Sequence, residues 1–297
     1  MNILITGASG LVGSALAEFL FAAGHSFFSL QRNRSSGDQG FWNLARISDG
    51  YGAPTFDAVI HLAGDNIASG RWTARKKKRI MESRIAGTTE LATYCAGLPV
   101  KPRVLLAASA TGYYGNRGDE VLTETSSSGS NFVAEVCRAW EAATEPARQA
   151  GIRVVNGRIG MVLSGNGGTL STMLPSFKLG VAGIVGNGEQ YVSWIGIDDL
   201  VRMSLLLLER DDITGPVNMV APEAVTNRNF TKTLGKILGR PTVMKMPAFV
   251  AKTVFGQMAD ELILASTRVA PQVLTEHGYR FISPNLEDTL RSCIAPA

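Results

Sequence analysis

The sequence predicts an α/β fold, a doubly wound parallel sheet, and three observations carry that expectation. Strand-like and helix-like segments alternate through residues 1–240, the rhythm of successive βαβ units. Glycine is enriched, 32 of 297 residues, and falls in short clusters between apolar runs, as tight strand-to-helix turns require. A hydrophobic fraction of 45% with 18% charged residues is ordinary for a globular protein and excludes a disordered chain. A chain of this length buries about three quarters of its unfolded surface, so no staples are needed.

The elements follow in order. Asn2–Thr6 is a short apolar strand, 11–23 an amphipathic helix and 26–31 a second strand. Residues 58–62 form a third strand, 73–96 a long helix, 104–109 a strand, 131–150 a helix and 152–157 a fifth strand. A helix opened by Asp198 and Asp199, a strand at 217–220 and a helix over Asn227–Leu238 complete this part. From Pro241 the rhythm changes, and Pro247, Pro271 and Pro284 punctuate short helices. The chain thus divides into a nucleotide-binding unit over 1–240, with a substrate-side insertion at about 164–195, and a small, mostly helical region over 241–297.

Three cysteines (Cys95, Cys137, Cys293) without a C-x-x-C pair fit neither a disulfide framework nor a zinc site, and no metal ligands are assigned. The start of the chain has no basic leader and no apolar run approaches a membrane span, which points to a cytoplasmic protein without a membrane partner. The net charge of +4 is uneven: residues 71–84 hold seven basic side chains and one acid. One basic segment on a slightly acidic body is a poor nucleic-acid surface.

The run Thr6-Gly7-Ala8-Ser9-Gly10-Leu11-Val12-Gly13 places three glycines at i, i+3 and i+6 between a strand and a helix. In a dinucleotide-binding Rossmann fold the first permits a tight turn, the second lets backbone approach a pyrophosphate, and the third lets helix and strand pack closely. The helix N-terminus then faces the phosphates. At the end of the second strand, where an acid would hold the ribose of NAD, the chain reads Leu30-Gln31-Arg32-Asn33-Arg34, and the first acid is Asp38. Arg32 therefore points to NADP(H); the alternative is that Arg32 and Arg34 are solvated loop charges.

These residues resemble the extended and atypical short-chain dehydrogenase/reductases. His61-Leu62-Ala63-Gly64 is similar to that family's cofactor turn, and Ser109-Ala110-Thr111-Gly112-Tyr113-Tyr114-Gly115 to its active-serine segment. Gly186-Asn187-Gly188-Glu189-Gln190 and Trp194-Ile195-Gly196-Ile197-Asp198-Asp199-Leu200 resemble segments of its sugar-nucleotide epimerases. The match is nearest to epimerase-family proteins of the YfcH type and runs through nearly the whole chain. It implies a cofactor set of Gly7, Ser9, Gly10, Leu11, Val12, Gly13, Gln31, Arg32, Leu62, Ala63, Gly64, Arg84 and Met161.

The family's Tyr and Lys, four residues apart, are missing. Four positions beyond the six tyrosines stand Thr55, Leu98, Arg117, Gly118, Ile195 and Ser283, and the helix that should carry the pair reads Phe132-Val133-Ala134-Glu135-Val136. Ser109, Tyr113 and Tyr114 are the remaining catalytic candidates, Ser109 to hydrogen-bond a substrate carbonyl and a tyrosine to donate the proton. On the long helix, Ile80, Arg84, Gly87 and Leu91 share one stripe. Arg84 there either pairs with a buried acid or reaches the cofactor, while most of the neighbouring lysines are solvated.

His61 reads as a cofactor-turn or core residue rather than a general base, residues 164–168 as a flexible substrate-side loop with a phosphate cradle as the alternative, and Trp194 as core. Three functions stay open. The first is an NADP(H)-dependent oxidoreductase or epimerase-like enzyme acting by hydride transfer on a carbonyl, alcohol or sugar-nucleotide-like small molecule. The second is a non-catalytic NADP(H)-binding sensor or scaffold; the third is nucleic-acid binding through the basic helix. A homodimer is compatible with each.

Overall fold

A computed structural model describes residues 1–32, 41–44 and 55–294. Asn33, Arg34, Asp38 and Tyr51 lie outside the described residues. Six parallel strands form the central sheet: β1 (Asn2–Thr6), β2 (Ser26–Leu30), β3 (Ala58–His61), β4 (Val104–Ala110), β5 (Arg153–Ile159) and β6 (Gly215–Met219). Their spatial order is β6-β5-β4-β3-β1-β2, so the chain reverses direction of travel across the sheet between β1 and β3. Ligands of open α/β sheets bind outside the carboxyl ends of the strands at such a switch point.

Both faces of the sheet are covered, which is why its strands are nearly continuous apolar runs. Ile3, Ile5, Ile60, Leu106 and Val155 point to one side, against α1 (Leu11–Ala22) and a later helix that carries Leu200, Met203 and Leu207. Leu4, Val59, Leu105 and Val154 point to the other, against Leu91, Ala92 and Cys95 of α2 (Ala74–Gly97). Strand alternation sorts consecutive residues into two cores.

The helix expected over 131–150 is two helices, α3 (Phe132–Ala142) and α4 (Glu145–Gln149). Pro146 explains the break: its ring cannot follow a helical turn and it has no N–H to donate, but it is tolerated in the first turn of a new helix. Thr144 Oγ1 donates to the Glu141 carbonyl at 2.7 Å at the break. Beyond β5 come α5 (Gly168–Lys178), α6 (Ile197–Glu209) and α7 (Asn227–Leu238).

The C-terminal region is mostly helical, with α8 (Ala248–Phe255), a π-turn at Ala259–Ile263, α9 (Gln272–Glu276) and α10 (Leu286–Ile294). Short parallel pairings stitch it to the body. Met244–Met246 pairs with Gly183–Val185, and Arg268–Val269 with Val121–Leu122. Asp199, in the first turn of α6, accepts hydrogen bonds from the Tyr279 hydroxyl at 2.8 Å and from the amides of Ile282 and Ser283. Trp194 is buried core, as expected, with its indole N–H on the Glu223 carbonyl.

His61 closes β3 inside the core. Its ring nitrogens contact Thr6 Oγ1 at 2.7 Å and Thr88 Oγ1 at 2.8 Å, and burial pushes its pKa down from 6.5 to about 4. Between those values the unfolded chain takes up a proton that the folded chain refuses, so stability falls as pH drops. From pH 7 to 5 the loss at this site is expected to be about 2 kcal/mol. Urea denaturation at both pH values checks it: His61→Gln should flatten the pH dependence by that amount, and an unchanged slope would refute the assignment.

Candidate functional site

The turn from β1 to α1 is shaped by what it cannot accommodate. Gly7 has φ +76°, and a Cβ there would stand 3.0 Å from the Ala63 nitrogen in the turn after β3. At Gly13 an added Cβ would lie 2.1 Å from the Gly7 carbonyl oxygen, so the third glycine lets α1 seat on its own turn. Gly10 caps α1 without a side-chain bond, and the helix N-terminus carries unpaired N–H groups and a partial positive charge.

Beside this turn lies a cavity of about 680 Å³, bringing together Gly7, Ser9, Gly10, Gln31, Arg32, Leu62, Ala63 and Gly64 from the ends of β1, β2 and β3. Phe41 and Trp42 form a further wall that sequence reasoning missed. Glu90 on α2 accepts from the backbone amides of both, Trp42 donates to the Gly87 carbonyl, and the Phe41 ring fills the space a side chain at Gly87 would need. Among the described residues lining the cavity none is acidic, and Arg32 stands exposed there.

The other expected cofactor residues, Leu11, Val12, Met161 and Arg84, do not line it. Leu11 lines a second cavity of about 580 Å³ across α1, bounded by α6 and by Ser164, Asn166 and Gly167. Val12 packs against the core, and Met161 follows β5 on a short strand paired with Trp194. Arg84 is buried beneath the β3 turn: a Cβ on Gly64 would lie 3.3 Å from its Cζ. Its Nη1 donates to the carbonyls of Asp65 and Ile80, and its guanidinium covers the Trp140 ring at 4.8 Å.

The buried-acid partner considered for Arg84 is absent among the described residues. Asp65, the nearest candidate, is held by Lys76 at 2.6 Å and Arg79 at 3.2 Å, cations that keep its carboxyl below the usual range against the opposing effect of desolvation. Lys76 itself departs from the solvated reading of the basic run. It is buried, and its Nζ also donates to the Asn66 carbonyl and Ser69 Oγ, pinning the loop after β3.

The three catalytic candidates gather at the ends of β4 and β5 around Arg158. This guanidinium forms a two-pronged pair with Glu141 on α3, Nε to Oε1 and Nη2 to Oε2 both at 2.9 Å, with side chains 3% and 13% exposed. Ser109 Oγ donates to Glu141 Oε1 at 2.7 Å, so towards any other group the hydroxyl offers lone pairs. Arg158 lies 3.5 Å over the Tyr113 ring and donates to the Tyr114 hydroxyl at 3.0 Å.

The two tyrosines therefore differ. Tyr114 is fully buried, its hydroxyl donates to Asn218 Oδ1 at 2.7 Å, and burial pushes it up to about 12. The proton-donor role expected for Tyr114 does not fit this enclosed position, whereas Tyr113 is only half-buried. Glu124 extends the network, accepting from the amides of Asn218 and Val273. Where the Tyr and Lys pair was sought, Phe132 stacks edge-on against Trp72, and Val133 fills the space over Gly112.

This architecture and its motifs agree with comparisons to known proteins. Residues 3–220 match the NAD dependent epimerase/dehydratase family, and residues 246–293 match a domain of unknown function, DUF1731. The chain belongs to the NAD dependent epimerase/dehydratase family. Within it, an epimerase family protein of Mycobacterium bovis is 40% identical over 94% of this chain and 93% of its own length. Epimerase family protein YfhF of Bacillus subtilis is 34% identical over 99% of this chain and 98% of its own. The crystal structure of human epimerase family protein SDR39U1 with NADPH superposes with a TM-score of 0.90 at 31% identity, covering 99% of each chain.

In this epimerase-family chain the Glu141–Arg158 pair is the electrostatic centre of the site. Removing one member of a buried pair strands the other charge. Glu141→Ala is expected to cost about 3–5 kcal/mol of stability, read by urea denaturation. A loss below about 1 kcal/mol, the level of an exposed pair, would show that the pair is solvated.

Proposed function

We infer that the protein binds NADP(H) in the cavity at the β1–β3 switch point and acts as an NADP(H)-dependent oxidoreductase or epimerase-like enzyme. The observation that carries this reading is the carboxylate-free described lining of that cavity, with Arg32 at the position where an NAD site sets an acid. The human relative's structure with NADPH supports it. The glycine turn and the α1 N-terminus would hold the pyrophosphate, Arg32 the 2′-phosphate, and Arg84 would act from beneath the Gly64 turn.

When bound, the cofactor supplies hydride to, or takes it from, a carbonyl or alcohol carbon. Tyr113 is the phenol open to a substrate oxygen and would exchange the proton there. Arg158 positions Tyr113 through its ring, and Glu141 fixes both Arg158 and Ser109. Ser109 and Tyr114, committed to internal hydrogen bonds, support a second reading in which NADP(H) is bound without turnover, as in a sensor or scaffold.

Calorimetric titration tests the cofactor. NADPH should bind at least about tenfold more tightly than NADH, or ~1.4 kcal/mol, and Arg32→Ala should remove most of that gap. Equal affinities for the wild-type protein would overturn the assignment. Arg84→Ala should weaken NADPH binding by about 1.5–3 kcal/mol, against almost nothing for Lys78→Ala on the solvated face.

The catalytic reading makes a separate demand. Tyr113→Phe should abolish NADPH oxidation by a carbonyl panel while leaving NADPH affinity within about twofold, a change under 0.5 kcal/mol. Absence of NADPH consumption by the wild-type protein with every carbonyl and sugar nucleotide tried would favour the sensor.

A further inference from the structure

Large apolar side chains stand in solvent on one part of the molecule. Val243 is 81% exposed, Leu179 77% and Phe249 71%, and Val181, Met244, Met246 and Val254 are also exposed. The parallel pairing of Gly183–Val185 with Met244–Met246 brings the two segments side by side, and Pro241 packs against Gly180. Among the described residues, Met244–Met246 pairs on one edge only. Contiguous exposed apolar surface of this kind marks a contact site.

The charge pattern of the same segments identifies the partner. No Asp or Glu occurs from 146 to 188 or from 224 to 259, in a chain with 25 acidic residues. The second stretch carries six basic residues, Arg228, Lys232, Lys236, Arg240, Lys245 and Lys252. Three are neutralised: Arg228 by Glu189, Lys236 by Glu287 and Lys252 by Asp260. Lys178, Arg240 and Lys245 stand exposed among the apolar side chains, without an ion-pair partner among the described residues. Arg71, at the start of the basic run, donates to the Thr253 carbonyl, so that run adjoins the same face.

We propose that this face docks on an anionic lipid surface, with Val243, Phe249 and Leu179 entering the headgroup layer and Lys178, Arg240 and Lys245 lying against its phosphates. Interleaved lysine, arginine and aliphatic side chains, with the neighbouring acids Glu189, Asp260 and Glu287 each taken up by a basic partner, are a composition that holds a protein at such an interface. A two-fold contact centred on the 240–245 segment would set Arg240 and Lys245 near their own equivalents, a like-charge arrangement that weakens association. No helix among the described residues is long and apolar enough to cross a membrane, so the contact is interfacial.

Flotation of the full chain with vesicles of phosphatidylcholine alone, and of phosphatidylcholine with phosphatidylglycerol, tests the proposal. The bound fraction should be at least about fivefold higher on the anionic vesicles and should fall as salt is raised. The double variants Val243→Glu/Phe249→Glu and Arg240→Glu/Lys245→Glu should each lower vesicle affinity by about tenfold, with urea midpoints unchanged as the folding control. If either double variant fails to fold, Lys245→Gln should still lower affinity by about threefold. Equal binding to neutral vesicles, or none to either, would overturn the proposal. So would a dimer in sedimentation velocity that Val243→Glu dissolves, or capture by polyglutamate without vesicle binding, which would assign the face to a second copy or to an acidic protein.

Discussion

The geometry of the site rests on one close approach, the seating of α1 against the turn that precedes it. With the Gly7 carbonyl occupying the space a side chain at Gly13 would need, α1 enters directly from β1. That entry sets its axis beside the carboxyl end of the sheet. Gly7 in turn lies against the Ala63 amide, so the turns after β1 and β3 are fixed relative to one another. The cavity is the space beside them, and on the side of these two turns its wall is largely backbone. Rigid backbone is suited to gripping a pyrophosphate because little conformational freedom remains to be lost on binding.

A second constraint operates on the opposite flank. Arg158 has five obligations: two oxygens of Glu141, the Tyr114 hydroxyl, the Glu124 carbonyl and the Tyr113 ring. Such a buried network admits few alternative packings, and around Arg158 one carboxylate oxygen, Glu124 Oε2, is buried without a hydrogen-bond partner. The hydroxyl of Ser109 is recruited into it through Glu141. The consequence for chemistry is a division of labour. Two groups legible as catalytic in sequence hold the scaffold together, and the half-buried Tyr113 is the one less enclosed.

Much of this was legible locally, and most of what was not depends on contacts between distant elements. The glycine turn, the Ile80–Arg84–Gly87–Leu91 stripe and the buried Trp194 follow from spacing and polarity within a few residues. Pro146 stood in plain view as a helix breaker. Lys76 could not be read as buried, because its partners Asp65, Asn66 and Ser69 arrive on a loop from a different element. Tyr113 and Tyr114 are adjacent and chemically identical; only the short 3-10 turn over Thr111–Tyr114 sends one ring inward. Phe41 and Trp42 carry no periodicity, and their role depends on Glu90 reaching their amides from α2. The Lys76 and Phe41–Trp42 misses are long-range pairings, to which local pattern is blind.

Two arginines are buried near the candidate site, and their contrast bears on what the site attracts. Arg158 is neutralised by Glu141, whereas Arg84 has two carbonyl acceptors and an indole face but no carboxylate partner among the described residues. Desolvation lowers its pKa, which records the cost of keeping that charge out of water. Carbonyls and a π-face stabilise a guanidinium without cancelling its charge. Its field therefore reaches across the thin Gly64 turn that walls the cavity. With the α1 N-terminus on one side and Arg84 beneath the other, positive potential converges where no acidic side chain lines the described wall. An anion entering there recovers electrostatic energy that the folded protein alone leaves unmet.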